Sequence, residues 1–368
     1  MKKNYFLIAI LLFSFVGCNQ EKIKTIQVRT NKNIETLAIL YLVSDVGLNA
    51  HQGSLSYEAK QHFDAFKNHE IIPKLKELMN RSSFGAPVGF FLRLSEFPNA
   101  EISSPLDTGF VRVLIGNQDI DDKDNFINQF IKSANDFYVK ADIEKFIQDH
   151  KSYYDKCIND VRRNLPDNNF VPTMEKYYGK EFNSYNIIPS PILFPYIGFG
   201  VRIESPTKTD IYYVAGPFNE PDSTQKYAYG FDSYIDIREM SVHEFGHSFL
   251  NPLFELPANK ELISNFSYLY KSIEKYMFEQ AYGDWLTCVN EHIVRLGEIR
   301  ISLAMNDSTT SNKIRKENIE ERKFIYLPSM EEKIKEYENN RKSYTTFEDF
   351  FPELIKVLAE IDTTKIKI

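Results

Sequence analysis

The sequence predicts an α+β protein in which short strands precede a long helix and the C-terminal half is mostly helical. A continuous apolar run at 37–43 favours a buried strand. Three short segments rich in glycine, proline and aromatic residues, at 186–193, 196–203 and 210–215, favour further strands. Beyond residue 236 the apolar residues recur mostly at helical spacing. Strands followed by helices predict a mixed fold, and no internal repeat accompanies them.

The start of the chain has the pattern of an export signal. Lys2 and Lys3 precede a mostly apolar run that ends at Val16. The run is too short to span a bilayer, which needs about 20 residues, so it is typical of a signal peptide. Gly17-Cys18 then resembles a bacterial lipobox, in which Cys18 becomes the lipidated mature N-terminus. The alternative is an ordinary cleaved signal peptide with an incidental cysteine.

These features predict a signal peptide at 1–17 and a lipidated cysteine with a polar tether at 18–24. We therefore expect an exported bacterial lipoprotein of the cell envelope, anchored in the outer membrane and facing the periplasm or the cell surface. The net charge of the 368-residue chain is −7, which provides no general attraction to nucleic acid. We expect membrane contact through the lipid on Cys18 and no nucleic-acid partner; protein partners are not indicated.

The composition fits folded domains, with 43% hydrophobic and 26% charged residues. Pro166 and Pro172 mark the best internal break. They predict an N-terminal α/β region at 25–165 and a second region at 166–368, or one continuous domain if their strands share a sheet. The remaining predicted elements are strands at 88–94 and 110–115, helices at 57–79 (divided near Pro73) and 121–165, and a surface loop at 306–318.

Two cysteines remain beyond the leader, Cys157 and Cys288. An exported protein meets oxidising conditions, so these two residues could form a disulfide. Two separate buried thiols are the equally open alternative.

The motif His243-Glu244-Phe245-Gly246-His247 carries the clearest chemical signal. On a helix, residues four apart lie on one face, so His243 and His247 can bind a single Zn²⁺. Glu244 would then lie beside the metal, where a carboxylate can accept a proton from water. Two surface histidines on an ordinary amphipathic helix are the alternative. The helix is expected at about 237–250, started by Asp236 with Glu239 and stopped at Asn251-Pro252.

This motif resembles that of the zincin metallopeptidases. The metzincin branch would require a third histidine at position 253, which is leucine. The gluzincin branch instead takes a glutamate from a later helix, and Asn290-Glu291 within Trp285–Arg300 is similar to that ligand segment. The resemblance therefore implies a zincin-like fold, one Zn²⁺ per chain held by His243, His247 and Glu291, and Glu244 as general base. It covers about residues 185–350 and also extends to uncharacterised bacterial lipoproteins with this motif.

The third ligand has rivals in the sequence. The predicted helix at 285–304 has one long polar stripe that includes Glu291, which is either a cleft wall or a solvated face. Glu255 and Glu261 are alternative ligands. Arg295 stands where the gluzincin pattern has an aspartate that supports a ligand histidine, so Glu298 or Glu239 would have to take that role.

A group that could stabilise a tetrahedral oxyanion is harder to find. Tyr337, Arg341 and Tyr344 share one helical face and include suitable donors. A packed stripe of aromatic and cationic side chains is the alternative interpretation of the same spacing.

These observations predict a membrane-anchored zinc metallopeptidase, a hydrolase that cleaves a peptide or protein substrate through activated water. The principal alternative is a non-catalytic lipoprotein whose zincin scaffold captures substrate or metal. Glu244 favours the enzyme, because a purely structural metal site needs no base there. A scaffold component of a surface uptake or assembly complex is the third class.

The anchor can be tested directly. Cys18→Ser is expected to abolish lipidation, because no other cysteine follows an apolar run. Metabolic labelling with radioactive palmitate measures the outcome. Label retained by the Cys18→Ser protein would contradict the lipobox interpretation.

Overall fold

The computed structural model describes residues 24–46, 54–82, 84–116, 122–219 and 230–362. The predicted signal peptide, Cys18 and all of the tether except Lys24 lie outside these ranges. Among the described residues, no helix combines the length and apolarity that crossing a membrane requires.

A four-stranded mixed sheet lies at the centre of the fold, with strand order β1-β2-β4-β3. β1, β2 and β4 run parallel, and β3 pairs antiparallel with β4 at one edge. The last three strands confirm the strands predicted near 186–193, 196–203 and 210–215. The strands are β1 (Ile26–Val28), β2 (Ser184–Pro189), β3 (Gly198–Glu204) and β4 (Thr209–Ala215).

Among the described residues before β2, the elements other than β1 are helices. The predicted division of 57–79 into two helices is present, but it falls between Phe63 and Ile71 rather than at Pro73, which lies in the first turn of the second helix. The helices predicted over 121–165 are also present. These elements are α1 (Lys32–Val43), α2 (Leu55–Phe63), α3 (Ile71–Arg81), α4 (Ala86–Phe91), α5 (Thr108–Ile115), α6 (Lys123–Lys140), α7 (Ile143–Asp149), α8 (Lys151–Arg163) and α9 (Phe170–Tyr178).

Three strand predictions in this region are wrong, since 37–43, 88–94 and 110–115 lie largely in α1, α4 and α5. α1 is buried from Asn33 to Val43. A helix that is apolar on every side has the same sequence pattern as a buried strand, so periodicity cannot separate the two. The N-caps decide instead: Asn31 accepts hydrogen bonds at the start of α1, and Asp107 does so for α5.

The C-terminal half is helical, as predicted, and α13 has the predicted bounds of 285–304. The loop predicted at 306–318 is wrong, because Asp307 caps a helix there by accepting a hydrogen bond from the Thr310 amide at 2.9 Å. The helices are α10 (Tyr234–Glu255), α11 (Pro257–Ser264), α12 (Glu274–Phe278), α13 (Trp285–Ala304), α14 (Ser308–Lys316), α15 (Leu327–Asn339) and α16 (Phe347–Lys356).

α10 is longer than the predicted 237–250 at both ends. Its N-cap is Ser233 rather than Asp236, whose amide donates to the Ser233 hydroxyl at 3.3 Å. Pro252 does not end the helix, although it lacks the N–H that would bond the Ser248 carbonyl one turn earlier. Nη1 of Arg202 donates to that carbonyl at 3.3 Å, which replaces the missing bond.

The predicted boundary at 166 separates regions that share one sheet and one apolar core. β1 pairs with β2, with Ile26 opposite Tyr185. Tyr178, at the end of α9, lies between α10 and α13 and stacks on Phe249 with ring centroids 4.4 Å apart. Through β1, the N-terminal region is thus part of the sheet against which the helix with the histidine motif packs.

Two further alternatives are resolved by packing. Cys157 and Cys288 are buried free thiols, so the disulfide does not form. Tyr337 is buried and donates its hydroxyl to the Tyr177 carbonyl, while Arg341 stacks 4.2 Å from the Tyr337 ring centroid. This face is therefore a packed stripe, and its assignment to an oxyanion site is wrong.

Two glycines that face Tyr178 should respond in opposite ways to alanine. A Cβ at Gly297 would overlap the Tyr178 hydroxyl, whereas one at Gly246 would lie 3.6 Å from it, an ordinary contact. We expect Gly297→Ala to lower the free energy of unfolding by about 1–3 kcal/mol through overpacking. Gly246→Ala should be neutral or stabilising by up to about 1 kcal/mol, because alanine favours helix.

Urea unfolding of the two variants measures this contrast. Gly283→Ala is the control, because the nearest atom to its added Cβ is 4.0 Å away. Equal stability of the Gly297 and Gly246 variants would show that Tyr178 does not fix the spacing of α10 and α13.

Candidate metal centre

α10 and α13 bring His243, His247 and Glu291 together. One ligand atom from each lies within 4.8 Å of the others, and the two Nε2 atoms are 3.2 Å apart. Glu291 Oε1 is 3.4 Å from His247 Nε2. The side chains of the three residues are only 9–15% exposed. The predicted ligand group is therefore assembled, mostly shielded from water, and able to hold a metal ion.

The Nδ1 atom of each of the two histidines has a hydrogen-bond partner. Nδ1 of His243 lies 2.6 Å from Glu298 Oε1, and Nδ1 of His247 lies 3.2 Å from Asn251 Oδ1. Asn251 Oδ1 also accepts from the Asn290 amide at 2.8 Å, which orients it. Carboxylate and amide oxygens only accept, so we assign the ring proton to Nδ1 in both histidines. Both Nε2 lone pairs are then free and converge with the Glu291 carboxylate, as a metal requires.

Glu298 thus occupies the supporting position that the sequence left open between Glu298 and Glu239. Glu239, one turn before His243 on the same face of α10, instead pairs with Lys313 at 3.2 Å. The hydrogen bond from His243 and the charge of Arg295 outweigh the effect of burial and lower the pKa of Glu298. A charged carboxylate behind a ligand imidazole makes that imidazole a stronger donor to a metal.

Arg295 replaces the aspartate expected from the resemblance and has a different role. It is buried, with Nη2 3.4 Å from Glu291 Oε2 and Nη1 3.6 Å from Glu298 Oε1. Burial alone would raise the pKa of Glu291, but the positive charge of His243 and His247, when they are protonated, and the charge of Arg295 lower it. Arg295 therefore adds to the effect of the histidines, and together they favour the charged forms of two buried carboxylates.

The rival ligands lie elsewhere. Glu255 is exposed and pairs with Lys260 at 2.7 Å. Glu261 is exposed on α11. Neither belongs to the three-residue group, whereas Glu291 does.

Glu244 is buried between α10 and the edge strand β3. A Cβ at Gly198 would overlap Oε1 of Glu244, and one at Gly200 would overlap its carbonyl oxygen. The Gly200 backbone also hydrogen-bonds the Glu244 carboxylate. Burial raises the pKa of Glu244, and the Glu291 charge adds to this against the opposing histidines. Glu244 therefore has the raised proton affinity that suits a general base.

A cleft of about 1670 Å³ contains this centre. The histidine face of α10, the polar stripe of α13 and the edge of β3 line one part of it, and α4 and α5 line another. The polar stripe on α13 is thus a cleft wall rather than a solvated face. The N-terminal region contributes directly to the cleft, which the sequence did not indicate.

Sequence reasoning also missed Tyr282, which lines the cleft beside Glu291. Its hydroxyl accepts from Nη2 of Arg295 at 3.0 Å and from Nη2 of Arg322 at 3.4 Å. Burial, and then the Glu291 charge, raise the pKa of Tyr282, so the phenol keeps its proton. Tyr282 precedes α13 and belongs to no motif, so only the two arginines that converge on it reveal it.

The chain belongs to a family defined by a domain of unknown function, DUF4932, whose model matches residues 26–357. No curated protein and no solved structure matches the chain.

The metal group predicts which substitutions abolish metal binding. The purified protein should bind about one Zn²⁺, and His243→Ala or His247→Ala should lose most of it. Glu291→Gln should weaken zinc affinity by more than about tenfold, because an amide is a poorer ligand than a carboxylate. Elemental analysis and zinc titration measure both effects.

Glu255→Gln and Glu261→Gln are the matched controls, since each makes the same change outside the group. Their zinc affinity should equal that of the wild type. A loss confined to one of these two variants would transfer the third ligand away from α13, and a wild type that binds no metal would favour the surface-histidine alternative.

Proposed function

We propose that this protein is a membrane-anchored, zinc-dependent peptidase of gluzincin-like type. One observation carries the proposal: a buried glutamate, Glu244, lies beside a convergent group of two imidazoles and a carboxylate in an open cleft. Two histidines and one glutamate form a ligand set typical of catalytic zinc, which keeps one position open. Zinc held there would lower the pKa of a water molecule and polarise the substrate carbonyl.

Glu244 is suited to move the proton. It follows His243 by one residue, so on the helix it points about 100° away from that ligand, toward β3. There its carboxylate can accept a proton from the attacking water and then donate it to the leaving nitrogen. Its burial next to the strand edge places it where a bound peptide would lie.

Tyr282 is suited to stabilise charge on the substrate. Its hydroxyl oxygen already accepts two hydrogen bonds from arginines, so its own O–H is left to donate into the cleft. Nη2 of Arg295 also lies 3.4 Å from Glu291 Oε2, so the hydroxyl is within two hydrogen-bond lengths of a ligand oxygen. A preorganised donor at that position favours a developing oxyanion.

The free edge of β3 offers the substrate a backbone template. Ile197 accepts a hydrogen bond from Gly216 at 2.9 Å, so alternate residues face β4 and Gly198 and Gly200 face the cleft. An extended peptide can add to this edge through main-chain hydrogen bonds. Further along, the Arg202 carbonyl already accepts from Arg93 at 3.0 Å. The Gly200 N–H also bonds the Glu244 carboxylate. The available template is therefore short, and it centres on Gly198 and the Gly200 carbonyl beside Glu244.

Glu244→Gln separates the enzyme from a binding protein with the same scaffold. The variant should keep its fold and its Zn²⁺ but hydrolyse peptides about 10²–10⁴-fold more slowly, because an amide cannot accept the proton. Mass spectrometry of a peptide-library digest measures cleavage.

Both proteins must be compared at equal zinc occupancy, with Glu255→Gln as the control for a similar change at the cleft rim. Equal rates for wild type and Glu244→Gln would exclude this mechanism. A wild type that binds zinc but cleaves no library peptide would support the non-catalytic alternative.

A further inference from the structure

An apolar surface lines the cleft on the side of the N-terminal region. It consists of Phe110 and Val113 on α5 and of Tyr196, which precedes β3; we refer to these three residues as the apolar wall. Val113 is 49% exposed and Tyr196 is 71% exposed. Large apolar side chains left open within a cleft that also holds the catalytic group indicate a surface that a ligand covers.

The backbone at Tyr196 supports this interpretation. Its φ of 63° lies in the left-handed region, which costs a residue with a Cβ. The Tyr196 amide donates to the Pro217 carbonyl at 2.8 Å, so the surrounding structure holds this conformation. This backbone conformation keeps the Tyr196 ring exposed at the cleft rather than buried in the core.

Arg93 connects Phe110 of the wall to the sheet. Its guanidinium carbon lies 4.0 Å from the Phe110 ring centroid, and its Nη2 donates to the Arg202 carbonyl on β3. Gly89 allows this packing, because a Cβ there would already be 3.1 Å from the Phe110 ring. The charge of Arg93 is buried in these contacts, so the wall presents apolar groups.

The alternation of a strand explains how a peptide would reach the wall. Gly198 and Gly200 face α10, so the side chain of Phe199 points to the opposite face of the sheet. There its ring packs against Gly85, since a Cβ added to Gly85 would lie 3.2 Å from the ring. α4 and then α5 lie on that same face. A peptide added to β3 would therefore direct alternate side chains toward the metal centre and toward the wall.

We propose that the apolar wall selects peptide substrates with a large apolar side chain that projects toward α5. The identity of the ligand as a peptide rests on the peptidase proposal. The wall itself depends only on Phe110, Val113 and Tyr196. Arg112, which also lines the cleft, makes no ion pair among the described residues, so selection of an acidic side chain is the competing outcome.

The test measures binding and cleavage with one peptide set. Each peptide has the same glycine, serine and glutamine background, with a single Phe, Asp or Ser placed at each position in turn. Fluorescence anisotropy measures peptide binding to zinc-loaded Glu244→Gln protein. Mass spectrometry measures peptide cleavage by the protein that keeps Glu244. At one or two positions, Phe should strengthen binding over Ser by about tenfold or more.

Val113→Glu should remove most of that preference, while Val139→Glu should retain it. Val139 is 62% exposed on α6 and does not line the cleft, so it controls for the added charge. Tyr196→Asn, which tolerates the positive φ, should also reduce the preference. Tyr268→Asn should not, because Tyr268 is similarly exposed outside the cleft.

The outcomes separate the two proposals. Three outcomes would overturn the proposed role of the wall and leave the peptidase proposal intact. They are cleavage with no preference for Phe, a preference for Asp, and equal effects of Val113→Glu and Val139→Glu. A preference for Phe in binding that Val113→Glu abolishes would support the proposal for the wall. If no protein that keeps Glu244 cleaved any of these peptides, the peptidase proposal would be excluded. Neither binding nor cleavage of any peptide would overturn both.

Discussion

The close approach of α10 to the edge strand β3 is the constraint on which the candidate metal centre depends. Gly198 and Gly200 carry no side chain, so the carboxylate and carbonyl of Glu244 can lie directly against the strand. Any Cβ at these positions would push the helix away from the sheet edge. The same contact excludes water from the carboxylate, which raises its pKa, and places it beside the backbone that would align a peptide. The spacing of α10 from β3, the raised pKa of Glu244 and the position proposed for a peptide thus share one cause.

A second close approach holds the ligands on two helices in register. Tyr178 occupies the space between α10 and α13, where Gly297 and Gly246 leave room for its hydroxyl end. Glu291 and Glu298, two turns apart on α13, then meet the two histidines on α10 from the correct side. Arg295 lies between the two glutamates and compensates their charge. The cost of burying two carboxylates is therefore offset within a single helix face.

The sequence predicted the site residues that lie close together along one helix, but it missed a residue whose role depends on contacts between separate elements. His243, Glu244 and His247 lie on one helix, so their spacing alone predicts their shared face, and the segment around Glu291 supplied a ligand candidate. Tyr282 comes from a segment without periodicity, and its role depends on arginines from two other elements. The same contrast applies to the fold. The glycine-rich strands were recognised from their sequence pattern. Buried helices such as α1 were mistaken for strands, because their apolar residues surround the whole helix axis.

The strand order bears on how the proposed lipid anchor would orient this protein. β1 and β3 form opposite edges of the sheet, so the cleft, which β3 lines, lies at the edge opposite β1, and Lys24 precedes β1. Lys24 is held there by ion pairs with Glu175 and Glu181. A lipid on Cys18 would then leave only six residues of chain, about 20 Å when extended, between the bilayer and the fold. Such a short tether would keep the folded part against the membrane with its cleft on the far side. If the protein is a peptidase, this orientation would favour substrates that arrive from the aqueous compartment over those embedded in the lipid.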